Sequence, residues 1–266
     1  MKPLLLTFDV EEFDLPAEWG RPLPPEAALD VTAAGLDALL PVLARHAVVA
    51  TFFATGCFAA QRPEWLRRLT EAGHEVGVHG LEHGDDYGAL DAATAVARLQ
   101  RARALVQLAS GQPAHGVRTP HLRPCPLARV RAAGFRYDAS PHPTWVPRRY
   151  NGLRWPRRPW REDGVWRLPI SVVPVLRWPV SFIWFRAMGP SLAPLATRAA
   201  GHGAPYLHLY FHPWEALPIG RFGAPSWLAV RTGARFVAAL DAWLAWSAGR
   251  HAAATAAAFC TGLSDA

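Results

Sequence analysis

Short apolar runs alternate with longer amphipathic segments along most of this chain. Leu4–Phe8 and Val48–Ala54 are apolar and rich in branched or aromatic residues, so they predict buried strands. Ala27–Arg45 follows a Pro-Pro pair, and Pro63–Ala72 has proline in its first turn and glycine just after it, which is typical of helices. The alternation favours a parallel sheet covered by helices on its faces.

The same alternation continues to the end of the chain. Further predicted strands are His74–Val78, Gly116–Arg118, Phe135–Ala139, Tyr206–Phe211 and Ala252–Cys260, and further predicted helices are Ala89–Leu108, Cys125–Ala133, Ser191–Ala200 and Trp227–Trp246. No glycine-rich dinucleotide turn follows the first strand, so we expect a closed or nearly closed α/β barrel. We expect one domain, residues 1–266, because no repeat or low-complexity linker divides the sequence.

Polar residues follow several predicted strands at the points where those strands end. Asp9 and Glu11 come first, and alternation along an extended chain puts both carboxylates on one side. Later strands are followed by His79, Arg118, Asp138 and His212. In a (β/α) barrel these positions meet at one mouth, where active sites are built.

The segment from His79 to His83 spaces two histidines four residues apart. One helical turn would bring both imidazoles to one side, and with one carboxylate they form a set suited to Zn²⁺ or another divalent ion. Gly80 stands where a zinc protease motif needs glutamate, so that class is excluded. On the predicted strand before His212, His208 is expected to be a core histidine, and Trp214 is expected to pack or to stack on a sugar ring.

The amino-acid composition limits the possible binding partners and the cellular compartment. The 266 residues carry 28 basic and 21 acidic side chains, but the basic residues form no long block, so we expect no nucleic-acid partner. Three cysteines without a CxxC pair exclude a disulfide scaffold and a cysteine zinc site, and they suit a reducing compartment. The N-terminal apolar run meets Asp9 too early for a secretion signal, so we expect a cytoplasmic protein.

The segment Leu168–Phe185 is apolar over about one bilayer thickness. Three prolines and the central Arg177 argue against a spanning helix. A buried edge of the domain fits best, and peripheral membrane contact through residues 178–185 fits next, with contact residues Trp178, Phe182, Trp184 and Phe185.

Five segments, taken in order, resemble the NodB-type polysaccharide deacetylases of carbohydrate esterase family 4. They are Asp9-Val10-Glu11, His79 to His83, Arg118-Thr119-Pro120, Tyr137-Asp138-Ala139-Ser140 and His212-Pro213-Trp214-Glu215. The first and last are similar to the exosortase-associated and allantoinase-like branch. The resemblance covers most of the chain and implies a distorted (β/α)7 barrel.

The resemblance also implies a role for each matching residue. Asp9 matches the catalytic base, Arg118 the residue that orients it, and His212 the general acid. His79 and His83 match two metal ligands of a divalent ion, with Zn²⁺ favoured. Val10 stands where the commoner pattern has the acidic ligand; strand alternation then favours Glu11, with Glu12 or Asp14 as alternatives.

The implied reaction is hydrolysis of an N-acetyl group on an amino-sugar glycan. In the cytoplasm or at its membrane face, the substrate would be a lipid-linked or nucleotide-linked glycan precursor, or a small acetamido compound. Two alternatives stay open: an allantoinase-like amidohydrolase acting on a small amide, and a barrel that binds carbohydrate without catalysis.

Overall fold

A curved, mainly parallel sheet flanked by helices forms the frame of the protein. The structure is a computed structural model and describes residues 1–147 and 149–263. The strands are β1 Lys2–Val10, β2 Thr51–Ala54, β3 Glu75–Val78, β4 Gly116–Val117, β5 Tyr137–Asp138, β6 Trp145–Val146, β7 Tyr150–Asn151, β8 Trp160–Glu162, β9 Val165–Arg167, β10 Leu207–Phe211 and β11 His251–Ala253. The helices are α1 Pro25–Arg45, α2 Gly56–Gln61, α3 Pro63–Glu71, α4 Ala92–Ser110, α5 Leu127–Ala132, α6 Phe182–Gly201, α7 Ala234–Ser247 and α8 Ala256–Thr261.

Strand order explains how distant segments meet. The nine-stranded sheet runs β10-β1-β2-β3-β4-β5-β9-β8, with β11 pairing the start of β1, and every pairing except β8–β9 is parallel. The backbone after β9 spans the remaining gap: Leu168 donates to the Asp138 carbonyl and Ser171 to the His208 carbonyl, each at 2.9 Å. The expected α/β barrel is confirmed as a curled half-barrel whose open side is crossed by this segment.

The centre of the sheet is buried on both faces, as its apolar sequence predicts. β1 is buried from Leu4 to Val10, and α1 packs Leu29, Leu36 and Leu39 against this core. By length and composition alone, α1 is also the one helix in the described residues apolar enough to span a bilayer, but just over half of its apolar window is buried in the protein. Its apolar face is therefore a core face.

A close approach at Gly35 fixes α1 against the turn that follows β10. A Cβ atom added at Gly35 would lie 2.1 Å from the carbonyl oxygen of Pro213, so the helix and the turn touch backbone to backbone. We therefore expect Gly35→Ala to lower the thermal midpoint of unfolding, because the added methyl group would force one of the two packed backbone segments to move. Gly20→Ala is a control with no atom within 4 Å, although its own positive φ adds some strain. Equal melting of Gly35→Ala and the wild type would contradict this packing.

Two predicted elements are wrong in part. The helix expected over Trp227–Trp246 begins only at Ala234, because Arg231 and Gly233 have left-handed backbones, with φ of 50° and 72°, that interrupt a helix. The strand expected over Ala252–Cys260 ends at Ala253, and Thr255 then caps α8 by accepting from the Ala258 amide. Alanine prefers helix, and that preference decides these last residues.

The apolar segment Leu168–Phe185 does not form one element. It is a connecting stretch, a tight loop closed by the bridge between Val172 and Pro179, and the start of α6. Phe185 is fully buried in the core, so its expected role as a membrane contact residue is wrong. The exposed apolar residues lie earlier, at Val175, Leu176 and Trp178.

Candidate active site

Asp9 and Arg118 form a buried ion pair beneath the barrel mouth. The guanidinium of Arg118 donates to Asp9 Oδ1 at 2.7 Å and to the Ala139 carbonyl at 3.2 Å, and both charged side chains are almost completely buried. A third contact, at 2.7 Å, runs from Arg118 to Nε2 of His208. Asp9 therefore has one oxygen held by Arg118, and its Oδ2 lies toward His212.

Glu11, His79 and His83 bring three ligand atoms together. Glu11 Oε2 lies 3.1 Å from His79 Nε2 and 3.0 Å from His83 Nε2, and all three side chains are buried. Among the described residues, this is the group of histidine, cysteine and carboxylate side chains whose geometry could hold a metal ion. Of the three acidic candidates, Glu11 is the one that faces both imidazoles.

The other two acidic candidates lie elsewhere. Glu12 accepts a hydrogen bond from the Thr55 hydroxyl at 2.7 Å, on the other side of the chain from Glu11. Asp14 Oδ1 lies 2.8 Å from Nδ1 of His83, the ring nitrogen opposite the one that faces Glu11. Asp14 therefore holds the His83 ring from the side away from Glu11.

Each member of the trio is fixed through its second polar atom. His79 Nδ1 donates to the Arg118 carbonyl at 2.9 Å, and the Trp214 indole donates to Glu11 Oε1 at 3.1 Å. With Nδ1 protonated, a neutral imidazole has its lone pair on Nε2. When both imidazoles are neutral, two such lone pairs and a carboxylate oxygen converge on one point, which is an arrangement that a cation stabilises.

The electrostatics of the trio agree with a cation site. Burial alone would raise the pKa of Glu11, but the neighbouring His83, His212 and His79 hold it well below the usual range. Burial would lower the pKa of His83, yet the charges of Glu11 and Asp14 raise it to about 9. The pocket thus keeps Glu11 ionised and favours positive charge beside it. Two imidazoles and a carboxylate fit a divalent metal, and zinc sites of catalytic type use such donors.

The backbone between the two histidines is not a helical turn. His79 follows β3 directly, and Gly80 has φ of 84°, which bends the chain back toward Glu11. A Cβ at Gly80 would lie 3.0 Å from the Pro120 ring. The segment makes no helical turn, and the bend at Gly80 brings both imidazoles to one side instead.

His212 lies opposite the trio at the end of β10. Its Nε2 is 4.0 Å from Asp9 Oδ2 and 3.9 Å from Glu11 Oε1. Its other nitrogen, Nδ1, lies 3.3 Å from Glu215, and Glu215 in turn pairs with the buried Arg186 at 2.5 Å. Burial would lower the pKa of His212, but Glu11, Glu215 and Asp9 raise it, so the imidazole holds a proton to higher pH than usual.

The other residues singled out in the sequence take supporting or separate positions. Trp214 is buried and stacks on His212 at 4.5 Å between ring centroids, so stacking of Trp214 on a sugar is excluded. Glu215 belongs to the last sequence motif, but the motif was not used to predict its contact with His212. The spacing of three residues between His212 and Glu215 is the signal that indicates this contact. Asp138 accepts from Ser140 and pairs with Arg167, outside this cluster. His208 is a core histidine, and its Nδ1 has no partner in the described residues.

A cavity of about 240 Å³ opens above these residues. Its floor includes Asp9, Glu11, His79, His83 and His212. Its upper walls are largely aromatic, and they comprise Trp19, His121, His142, Tyr150, Phe182, Trp184, Tyr210 and Trp227. On one side Arg149 contacts both Glu18 and His121 at 2.8 Å, joining two loops across the rim. The cavity can therefore hold a ring-sized group with one end at the buried trio.

The fold and this arrangement place the protein among α/β barrels with a metal-type site at the carboxyl ends of the strands. Comparison with known families finds that the family described as Polysaccharide deacetylase matches residues 2–137, about half of the sequence. The chain belongs to the polysaccharide deacetylase family.

Individual proteins show both the likeness and its limits. A chitooligosaccharide deacetylase from Sinorhizobium fredii is 49% identical over 47 residues, which is 18% of this chain and 22% of that protein. The match thus spans about a fifth of the curated relative. A Mycobacterium smegmatis structure assigned as a polysaccharide deacetylase superposes with a TM-score of 0.66 at 20% identity, covering 98% of this chain and 91% of its own. Puue allantoinase superposes with a TM-score of 0.61 at 18% identity, covering 96% and 87%. Both structures support the fold.

Proposed function

We propose that this protein is a metal-dependent hydrolase that removes N-acetyl groups from an amino-sugar glycan or glycan precursor. The observation that carries the proposal is the convergence of Glu11, His79 and His83 between two further ionisable groups, Asp9 and His212. Metal-dependent amide hydrolysis uses a cation to polarise the carbonyl, a base for the attacking water and an acid for the departing amine. Glu11, His79 and His83 would supply the cation site, and Asp9 and His212 would supply the base and the acid.

Glu11, His79 and His83 would hold the ion. A divalent cation bound there supplies a Lewis acid for the acetamide oxygen and makes a water molecule more acidic. We propose Zn²⁺, because two imidazoles and one carboxylate leave a coordination position free for reaction, as in catalytic zinc sites. The hydrogen bonds from His79 to the Arg118 carbonyl and from Trp214 to Glu11 keep the ligands aimed at one point.

Asp9 is proposed as the base. Arg118 occupies its Oδ1, so Oδ2 is the oxygen available to take a proton from water in the cavity. The same buried ion pair offsets part of the cost of burying the Asp9 carboxylate and fixes its orientation. Arg118 acts here as a positioning residue, since its guanidinium lies behind Asp9.

His212 is proposed as the acid. Its Nδ1 lies against Glu215, so the proton on Nε2 faces the cavity and is free to reach the amine nitrogen. Water adds to the carbonyl carbon, the carbon–nitrogen bond breaks, and the products are acetate and a free amino group. Without protonation the amide nitrogen is a very poor leaving group, so this step depends on Nε2.

The metal assignment makes a direct prediction. Glu11→Ala removes the oxygen shared by both imidazoles, so the purified protein should lose most of its bound metal, as measured by elemental analysis. Glu12→Ala is a matched control on the neighbouring residue and should keep its metal. Full metal content in Glu11→Ala would move the acidic ligand to Asp14 or Glu12.

The substrate proposal is tested by acetate release. The curated relative is named for chitooligosaccharides, and the cavity has room for one sugar ring beside the trio. We expect metal-loaded protein to release acetate from N-acetylated amino sugars, free or carried on a lipid or a nucleotide. Hydrolysis of a small cyclic amide in place of acetate release would favour the allantoinase-like alternative. Stoichiometric metal without either reaction would favour a binding protein.

Branch and location remain part of the proposal. Asp9-Val10-Glu11 and His212-Pro213-Trp214-Glu215 support the exosortase-associated and allantoinase-like branch. The three cysteines are free thiols, which supports a reducing compartment and so the cytoplasm. A protein there would meet glycan precursors rather than finished polymer.

A further inference from the structure

A tight loop beside the cavity mouth exposes apolar side chains. The 172–179 loop is closed by the bridge between Val172 and Pro179 and by a hydrogen bond of 2.9 Å from the Val173 amide to the Trp178 carbonyl. At its tip, Val175 is 93% exposed and Leu176 is 77% exposed. Soluble surfaces seldom hold such residues side by side on a projecting turn unless the turn meets a partner.

The backbone of this tip is strained. Val175 and Arg177 have φ of 65° and 54°, in the left-handed region that favours glycine. A β-branched residue there is an outlier, and strain of this kind gathers at functional positions. This strained backbone leaves the side chains of Val175 and Leu176 exposed to solvent rather than buried.

The loop is continuous with the wall of the cavity. Trp178, at the base of the loop and about half exposed, packs edge-on against Trp184 at 4.9 Å between ring centroids. Trp184 itself lines the cavity. Across the mouth, Trp19 and Trp227 pack edge to face at 6.3 Å, and Trp227 is 62% exposed. Exposed indoles thus stand on both sides of the opening.

Positive charge lies within the loop and at its base. Arg177 donates to the Trp155 carbonyl at 3.1 Å and Arg157 to the Val172 carbonyl at 3.2 Å. Arg158 follows Arg157 in the chain, and burial together with the charges of Arg177 and Arg158 lowers the pKa of Arg157. In residues 1–147 and 149–263, none of the three forms an ion pair with a carboxylate.

We propose that the 172–179 loop docks on an anionic lipid surface, with the cavity mouth facing the membrane. An apolar tip inserted among the headgroups, and indoles and arginines nearer the base of the loop, match the layers of a bilayer interface. Unpaired guanidinium groups gain from the negative surface potential of such a membrane. This goes beyond the proposed reaction: it places the opening where a substrate carried by a lipid would arrive.

Vesicle flotation with the full chain tests the docking. The wild type should float with phosphatidylcholine vesicles that contain phosphatidylglycerol, and should stay behind with phosphatidylcholine alone or at high salt. The double variant Leu176→Ser/Trp178→Ser should bind at least ~10-fold more weakly, because both apolar contacts are lost. Arg177→Gln should bind about fivefold more weakly.

Leu108 offers a matched control. It lies on α4 and is 79% exposed, close to the 77% of Leu176, but it is not part of the loop or the cavity wall. Leu108→Ser should float like the wild type, while Leu176→Ser should float less. Equal flotation of these two variants, or no flotation of the wild type, would overturn the proposal. Asp9→Asn protein should still float, so a failure of the proposed reaction would be told apart from a failure of docking.

Discussion

Asp9→Asn is expected to slow acetate release at least ~100-fold while metal content stays at the wild-type level, since a positioned base contributes about 10²–10⁴-fold. The asparagine oxygen can still accept from Arg118, so the geometry of the buried pair is preserved. The amide nitrogen then occupies the place of Oδ2 and cannot take a proton from water. The measurement is turnover of metal-loaded protein on a substrate that the wild type deacetylates.

A surface aspartate provides the control for this substitution. Asp37 pairs with Arg68 on an exposed face, and its side chain is 61% accessible. Asp37→Asn should leave turnover unchanged. Because a weakened buried pair also lowers stability, both variants need thermal melting curves, and turnover is compared per folded molecule. Turnover of Asp9→Asn within a few-fold of the wild type would remove Asp9 from the role of base.

His212→Ala is expected to have an effect of similar size, again at least ~100-fold, because it removes the donor for the leaving nitrogen. Substrates with a better leaving group, such as an acetate ester in place of the acetamide, need less help from an acid. The variant should therefore lose much less activity on the ester than on the amide. This difference separates loss of a proton donor from general damage to the site.

An exposed histidine serves as the comparison for His212. His202 lies at the surface just after α6, away from the cavity lining. His202→Ala should keep wild-type turnover on both substrates. If His212→Ala lost amide and ester hydrolysis equally, the imidazole would be acting on substrate position or on the metal rather than as an acid.

Much of the fold follows from periodicity alone. The predicted strands Leu4–Phe8 and Tyr206–Phe211 agree with β1 and β10, because buried parallel strands are apolar without interruption. The predicted bounds are wrong for the last helix and the last strand. Gly233 delays the start of the helix, and the alanines after Thr255 form a helix instead of continuing the strand. The hairpin of β8 and β9 has short, partly exposed strands, so it leaves little periodic signal.

The candidate site shows a similar division. Alternation on β1 correctly indicated that Asp9 and Glu11 point the same way, and both lie about equally far from His212. The turn at Gly80 and the contact of Trp214 with Glu11 depend on tertiary packing between segments far apart in the chain. No local pattern encodes such contacts, so the sequence could name the proposed ligands but not the residues that hold them in place.

The position of β1 in the sheet has a consequence for synthesis of the protein. Residues Leu4–Phe8 pair with Leu207–Phe211, so the strand that carries Asp9 lies beside a partner about two hundred positions later. Until the ribosome has delivered that partner, one edge of an apolar strand has no neighbour to cover it. Such long-range pairing slows folding and exposes the nascent chain to aggregation. We expect recombinant yield to depend on chaperones and on growth temperature more than on the solubility of the finished protein.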